Sequence, residues 1–216
     1  MCPWLWRKVQ CWIAAAAVLL AVSACVQPPA DDPASRYNRL FAQATDKLEP
    51  HIILHGRDTR PPERAEVLEA IALFDQALAI FPDQWASIFF QGKAWQALHE
   101  HETAYEHFLR AYKLMPDEPS VAKEFIGAAL RIGRIPEARE VSDLAVLQWP
   151  RDVAIVSNHA LVLMFDGQLA EAEAQAVRAF EMDPSDAVSA NVVVTIEDVR
   201  AGRIAPPKNL QELEGW

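Results

Sequence analysis

Beyond position 25 this sequence has no cysteine: Cys2, Cys11 and Cys25 are the only three among 216 residues. The rest of the chain can therefore form no disulfide and can offer zinc no thiolate, so its fold must hold by packing. Positive charge is also scarce. Twenty basic residues stand against 30 acidic ones, a formal charge of -10, and a surface built for phosphates needs clustered Lys and Arg, which excludes nucleic acid as a partner. No apolar run reaches the ~20 residues that a membrane-crossing helix needs; the longest, Trp12 to Ala24, is broken by Ser23. Chemical signatures are missing too: there is no glycine-rich phosphate loop, no GxSxG and no HExxH. No cofactor, metal site, catalytic residue or small-molecule substrate is expected.

What is present begins with a targeting pattern. Arg7 and Lys8 precede the apolar stretch WIAAAAVLLAV, which ends in the small residues Ser23 and Ala24. The tetrapeptide VSAC, Val22 to Cys25, resembles the lipobox of bacterial lipoprotein precursors, in which the cysteine is lipidated and becomes the first mature residue. The resemblance implies a signal peptide over 1–24 and a lipid anchor at Cys25. Several acyl chains on one cysteine hold firmly, since each buried CH2 contributes ~0.8 kcal/mol. Val26 follows where an Asp would mark retention at the inner membrane of a Gram-negative envelope. The location implied is the outer membrane, facing the periplasm. Removing 1–24 deletes two basic residues and no acidic one, moving the formal charge from -10 to -12, so the body is not drawn to anionic lipid. Residues 25–35, rich in proline and acid, read as an extended tether.

The remaining body repeats. Pro82, Pro116, Pro150 and Pro184 each close a helical apolar run and recur every 34 residues. At 12, 8 and 5 residues before each proline stand Ala70, Phe74, Ala77; Ala104, Phe108, Ala111; Ala138, Ser142, Ala145; and Ala172, Ala176, Ala179. This pattern resembles the tetratricopeptide repeat. Physically, each unit reads as two amphipathic helices, A and B, with alanines letting them approach closely; a larger side chain there would overpack by ~1–3 kcal/mol. Each proline ends a helix B. Asp83, Asp117, Asp152 and Ser185 or Asp186 are candidates to cap the next helix A. Gly133 and Gly167 fall in the turn from A to B, where a left-handed residue is useful, and His99 takes that place in the second unit, predicting a longer or strained turn.

The expected fold is all-α: a helix-turn-helix solenoid, a tetratricopeptide superhelix of about four repeats with a C-terminal capping helix. The repeat domain is expected over 36–204, with units near 36–84, 85–118, 119–152 and 153–186, a cap at 187–201 and a tail over 205–216. The first unit is atypical, because Pro50 and the insertion HGRDTRPPE separate its helices.

The resemblance implies a concave groove lined by positions 2, 5, 9 and 12 of each helix A, and a protein or peptide segment as the ligand. On this chain it nominates Phe89, Lys93, Gln96, Lys123, Asn158, Leu161, Met164 and Asn191. Phe89, Leu161 and Met164 would grip apolar side chains; Lys93 and Lys123 would be positive points in an acidic body. The family's carboxylate clamp is not complete: Lys123 and Asn158 match two of its five places, but Gly127, Val188 and Val192 stand where Asn, Lys and Arg are wanted.

The histidines offer little chemistry. His51 and His55 are four apart beside Pro50, His99 and His101 flank Glu100 in a turn, and His159 falls on a core position; Trp85, Trp95 and Trp149 read as packing residues. The expected function is a membrane-anchored protein-interaction scaffold, not an enzyme, resembling repeat lipoproteins that help assemble a pilus or secretion system. Two alternatives stand beside it. One is a self-associating structural protein whose C-terminal LQELEGW, with Trp216, packs on a neighbour; the other is a hydrolase using the histidines of the N-terminal insertion.

Overall fold

The computed structural model describes residues 32–52 and 61–213. The signal segment, Cys25, most of the tether, His55 and Trp216 lie outside the described residues. Within them the fold is wholly helical. Helices α1 (Pro33–Leu48) and α2 (Arg64–Ile80) form the first antiparallel pair, joined in part by a 3-10 turn at Glu49–His51. Three pairs follow: α3 (Trp85–Ala97) with α4 (His101–Leu114), α5 (Pro119–Arg131) with α6 (Ile135–Gln148), and α7 (Val153–Phe165) with α8 (Leu169–Met182). Helix α9 (Ala187–Arg200) packs on α7 and α8, and a one-turn helix, α10 (Leu210–Leu213), packs on α5.

The small residues of the repeat are where the pairs meet. Ala70, Ala77, Ala104, Ala111, Ala138, Ala145, Ala172, Ala176 and Ala179 are all buried, as are Phe74, Phe108 and Ser142. In the second pair the large Phe108 is accommodated by Gly92 on the facing helix: a Cβ at Gly92 would lie 2.7 Å from the Phe108 ring. The space removed from one helix is occupied by the other, as close packing requires.

Capping follows the same period, and at two of the four places it uses the aspartates named from sequence. The N-caps of α3, α5, α7 and α9 are Gln84, Glu118, Asp152 and Asp186, each two residues after the repeat proline. Asp152 and Asp186 accept from the amides of Ile155 (3.1 Å) and Ser189 (2.9 Å) as expected. Asp83 and Asp117 do not cap. They sit one residue too early, outside the helix, and face the following helix B: Asp83 pairs with Arg110 at 3.6 Å and Asp117 accepts from Gln148 at 3.2 Å. Arg110 and Arg178 also donate to the carbonyls of Pro82 and Pro150, both at 2.5 Å, tying a helix B to the end of the one before it. In the unit between, the equivalent position is Leu144, and no such tie can form.

The A-to-B turns are alike. The amides of Glu100, Arg134 and Gln168 reach back to the carbonyls of Trp95 (3.0 Å), Ala129 (2.8 Å) and Leu163 (2.8 Å), closing each helix A with a left-handed residue between. That residue is Gly133 (φ 75°), Gly167 (φ 80°) or His99 (φ 60°). The second-unit turn is therefore no longer than the others, and it carries the strain instead.

An aromatic chain joins the atypical first unit to the rest. Phe41 meets Phe74 at 5.8 Å and Phe90 at 5.7 Å, Phe90 meets Phe89 at 5.5 Å, and Phe89 meets Phe108 at 5.7 Å. Trp85, Trp95 and Trp149 are half-buried against the main cluster, as packing residues would be. At the other end, Leu210 and Leu213 pack against this chain's own cluster.

His99→Gly should stabilise the fold by up to about 1 kcal/mol, since a left-handed non-glycine residue costs ~1–2 kcal/mol and glycine returns part of that as chain entropy. A raised urea midpoint with an unchanged slope is the expected result.

Candidate protein-binding groove

Helices α1, α3, α5, α7 and α9 are the A members of the stack, and the face they share is the candidate site. Polar bonds step along it from one A helix to the next. The Tyr37 hydroxyl and Ser87 Oγ are 2.9 Å apart; Lys93 Nζ donates to Glu124 Oε1 at 2.7 Å; Lys123 Nζ donates to Asp152 Oδ2 at 3.0 Å; and Ser157 and Ser189 meet at 3.2 Å. The last three bonds link residues roughly one repeat apart, and the first spans 50 residues because the atypical first unit carries an insertion, so the ladder follows from the register that stacks the helices.

The nominated residues divide sharply. Met164 is 2% exposed, Lys93 7%, and Phe89 and Leu161 each 8%, so these four are withdrawn into the stack and do not form an open floor. Phe89 is covered within its own unit, by Trp85, Phe90 and Phe108, whereas Lys93 is met by a side chain of the next A helix. Phe89 belongs to the aromatic chain, and Lys93 is held by Glu124. Gln96 and Asn158 are half-buried, and Asn191 is exposed. Lys123 keeps about a third of its side chain exposed (32%) beside Asp152 (25%), while Asn158 Nδ2 donates to the Lys123 carbonyl at 3.4 Å. The accessible set is thus Gln96, Lys123, Asn158 and Asn191, on three successive units and the end helix.

Sequence reasoning missed the anions of the ladder. Glu124 lies 31 residues after Lys93 and Asp152 lies 29 after Lys123. The signal was readable in principle: an opposite charge one repeat on, less about one helical turn. Val188, weighed as a failed clamp residue, is 59% exposed and supplies apolar surface near the end of the face.

Asp152 does two jobs. Its Oδ1 accepts the Ile155 amide while its Oδ2 holds Lys123, so a carboxylate at a helix N-terminus, where the dipole favours it, also neutralises the groove cation. Asp186 is arranged similarly: the Ser189 hydroxyl and then its amide hold the carboxyl below the usual range.

The histidines are structural in position. His51 is buried, its Nε2 2.7 Å from Glu66 Oε2. Ser142, His159 and Asp143 lie together, but both Ser142 Oγ (3.1 Å) and Asp143 Oδ1 (3.6 Å) approach the same ring nitrogen, Nδ1, and Ser142 is fully buried. A nucleophile and an orienting acid would need opposite nitrogens. Burial pushes the His159 imidazole below its ordinary value; Asp143 pulls upward, while Arg139 and Arg178 push down. No group of metal-binding side chains occurs among the described residues.

Two outcomes test this description. Glu124→Ala strands a buried ammonium and should cost about 2 kcal/mol, below the ~3–5 kcal/mol lost from fully buried pairs because Glu124 is partly exposed; Lys93→Met should be neutral or mildly stabilising. Chemical denaturation of both variants checks the asymmetry. For His159, the folded pKa lies below the unfolded one, so stability is full above the ordinary value of ~6.5 and is lost as pH falls from there towards the folded value. His107, also pushed down by burial, acts in the same direction. The urea midpoint should fall between pH 7.5 and 5.5, and fall less in His159→Gln.

No family model matches the chain, and no curated protein does. Solved structures do. MamA from Desulfovibrio magneticus RS-1 is similar over 77% of this chain and 86% of its own, at 17% identity and a TM-score of 0.63. YrrB, described as a tetratricopeptide repeat protein with an unusual peptide-binding site, is similar over 82% of each chain, at 15% identity and a TM-score of 0.61. PilF of Pseudomonas aeruginosa is similar over 79% of this chain and 71% of its own, at 15% identity and a TM-score of 0.60. Together with the helical pairing, these likenesses establish the architecture: the chain folds as a tetratricopeptide repeat solenoid.

Proposed function

We propose that this protein is a lipid-anchored scaffold that binds a protein or peptide segment on the A-helix face and assists assembly of an envelope machine such as a pilus or secretion system. The observation that carries the reading is the accessible strip of Gln96, Lys123, Asn158, Val188 and Asn191, which spans successive A helices and offers hydrogen-bonding groups, one cation and an apolar edge. A strip of this kind suits an extended segment crossing several repeats. The peptide-binding site described for YrrB and the pilus name of PilF support the protein-binding role and, more loosely, the pathway. The anchor and the outer-membrane, periplasm-facing location rest on VSAC and Val26.

Crosslinking from the native envelope tests the groove. Wild type should capture a defined protein that the triple variant Lys123→Ala, Val188→Ser, Asn191→Ala loses while keeping its helical content; capture unchanged in the variant overturns the groove reading. Cys25→Ser should move the protein from the membrane fraction to the soluble one and abolish labelling by a palmitate analogue.

A further inference from the structure

The strongest unassigned feature is the segment that leaves α9. Gly202 (φ 69°) reverses the chain, and the Arg203 amide closes the helix on the Asp198 carbonyl at 2.9 Å. In the second, third and fourth units this turn leads into a helix B. Here Pro206 and Pro207 follow, and two consecutive residues without a donor amide cannot sit inside a helix. The segment instead runs back to the third unit. The Lys208 carbonyl and Asn209 Cβ lie 3.8 and 3.9 Å from where a Cβ on Gly133 would be, and α10 packs on α5. Six extended residues reach about 21 Å, and two steps between packed helices take about 16–20 Å, so the segment is long enough to make the span, with bends at 203–204 and 208–209.

Side-chain packing seats it on the body. Pro207 is buried, Ile204, Leu210 and Leu213 are half-buried on the main cluster, and Lys208, Gln211 and Glu212 are exposed. Two hydrogen bonds run within the strap: the Glu212 amide donates to Asn209 Oδ1 at 3.1 Å, and the Lys208 amide to Glu212 Oε2 at 2.8 Å. These bonds preform α10 and would survive if the strap lifted from the body.

We infer that the strap over residues 203–213 is a resident occupant of a peptide-docking site at the α5 end of the A-helix face. The partner segment that displaces it has the strap's own chemistry: an extended proline-bearing run followed by one helical turn with apolar side chains three residues apart. The inference rests on the protein-binding reading above and names both the place and the ligand class. It also means that the free protein is self-covered, and that a partner's measured affinity is reduced by the fraction of molecules with the strap seated.

The probe is a fluorescent synthetic peptide of residues 203–213, titrated against full-length wild type, the double variant Leu210→Ser, Leu213→Ser, and, as a milder release, Pro207→Ser. Both variants should bind it at least tenfold more tightly than wild type, and unlabelled peptide should compete. Equal, weak binding to all three folded proteins overturns the inference and makes the strap a structural cover only. Loss of cooperative unfolding in both variants also overturns it, because the strap would then be part of the core. Either failure leaves the crosslinking test with Lys123, Val188 and Asn191 free to succeed.

Discussion

Every level of this structure depends on how closely helix A and helix B of a unit can approach. The alanines at 12 and 5 residues before each proline permit the approach, and the residue at 8 sets how much room the facing helix must yield. Where that residue is Phe108 the partner is Gly92; at the same register one unit on, Ser142 and Ile126 divide the volume the other way. Between these two units the summed volume is nearly kept while the individual residues change, which is how cores tolerate substitution; in the fourth unit both places are alanine, Ala160 and Ala176. The turns, the helix starts and the proline stops of the second, third and fourth units recur at one period of 34 residues.

The same register determines the electrostatics of the A-helix face. Bringing successive A helices together would leave Lys93 and Lys123 as unpaired cations in a partly dry cleft, and the fold answers with Glu124 and Asp152 from the next helix. Neither lysine is a free positive point. A ligand carboxylate reaching Lys123 must share it with Asp152, which is itself held by the N-terminus of α7. The ladder therefore contributes more to orientation than to affinity, and apolar contacts at the margins of the strip become the better source of binding energy.

The helical pairing was legible because its signals are local: a 34-residue recurrence of proline and alanine, left-handed residues in the turns, and even the strain at His99 followed from position alone. The site was less so. Phe89, Lys93, Leu161 and Met164 occupy the right helical positions, yet they are buried, and helical position alone does not give that depth: Phe89 is covered by aromatic rings of its own unit and Lys93 by Glu124 of the next. The capping aspartates failed for a related reason. Asp83 and Asp117 are good capping residues one position too early, and there they meet Arg110 and Gln148 instead. Pair positions were readable; what each pair does to its neighbour was not.

The end of the stack shows how a repeat protein stops. Helix α9 continues the A-helix register, but its outer positions change character: Val194 is 55% exposed where Ile126 and Ala160 are fully buried, and Glu197 is exposed at the register of Ala129 and Leu163. An acidic residue at that place disfavours another helix B against α9, since burying it unpaired would be costly. Pro206 and Pro207 make the same refusal from the other side, by preventing the chain from forming that helix. The apolar side chains that a fifth helix B would have carried, at Ile204, Leu210 and Leu213, still need cover, and they find it on the main cluster, with α10 packed on the A helix two units back. Termination and the covering of the face are thus one event: the residues that end the repeat also send the chain across the surface the repeats have built.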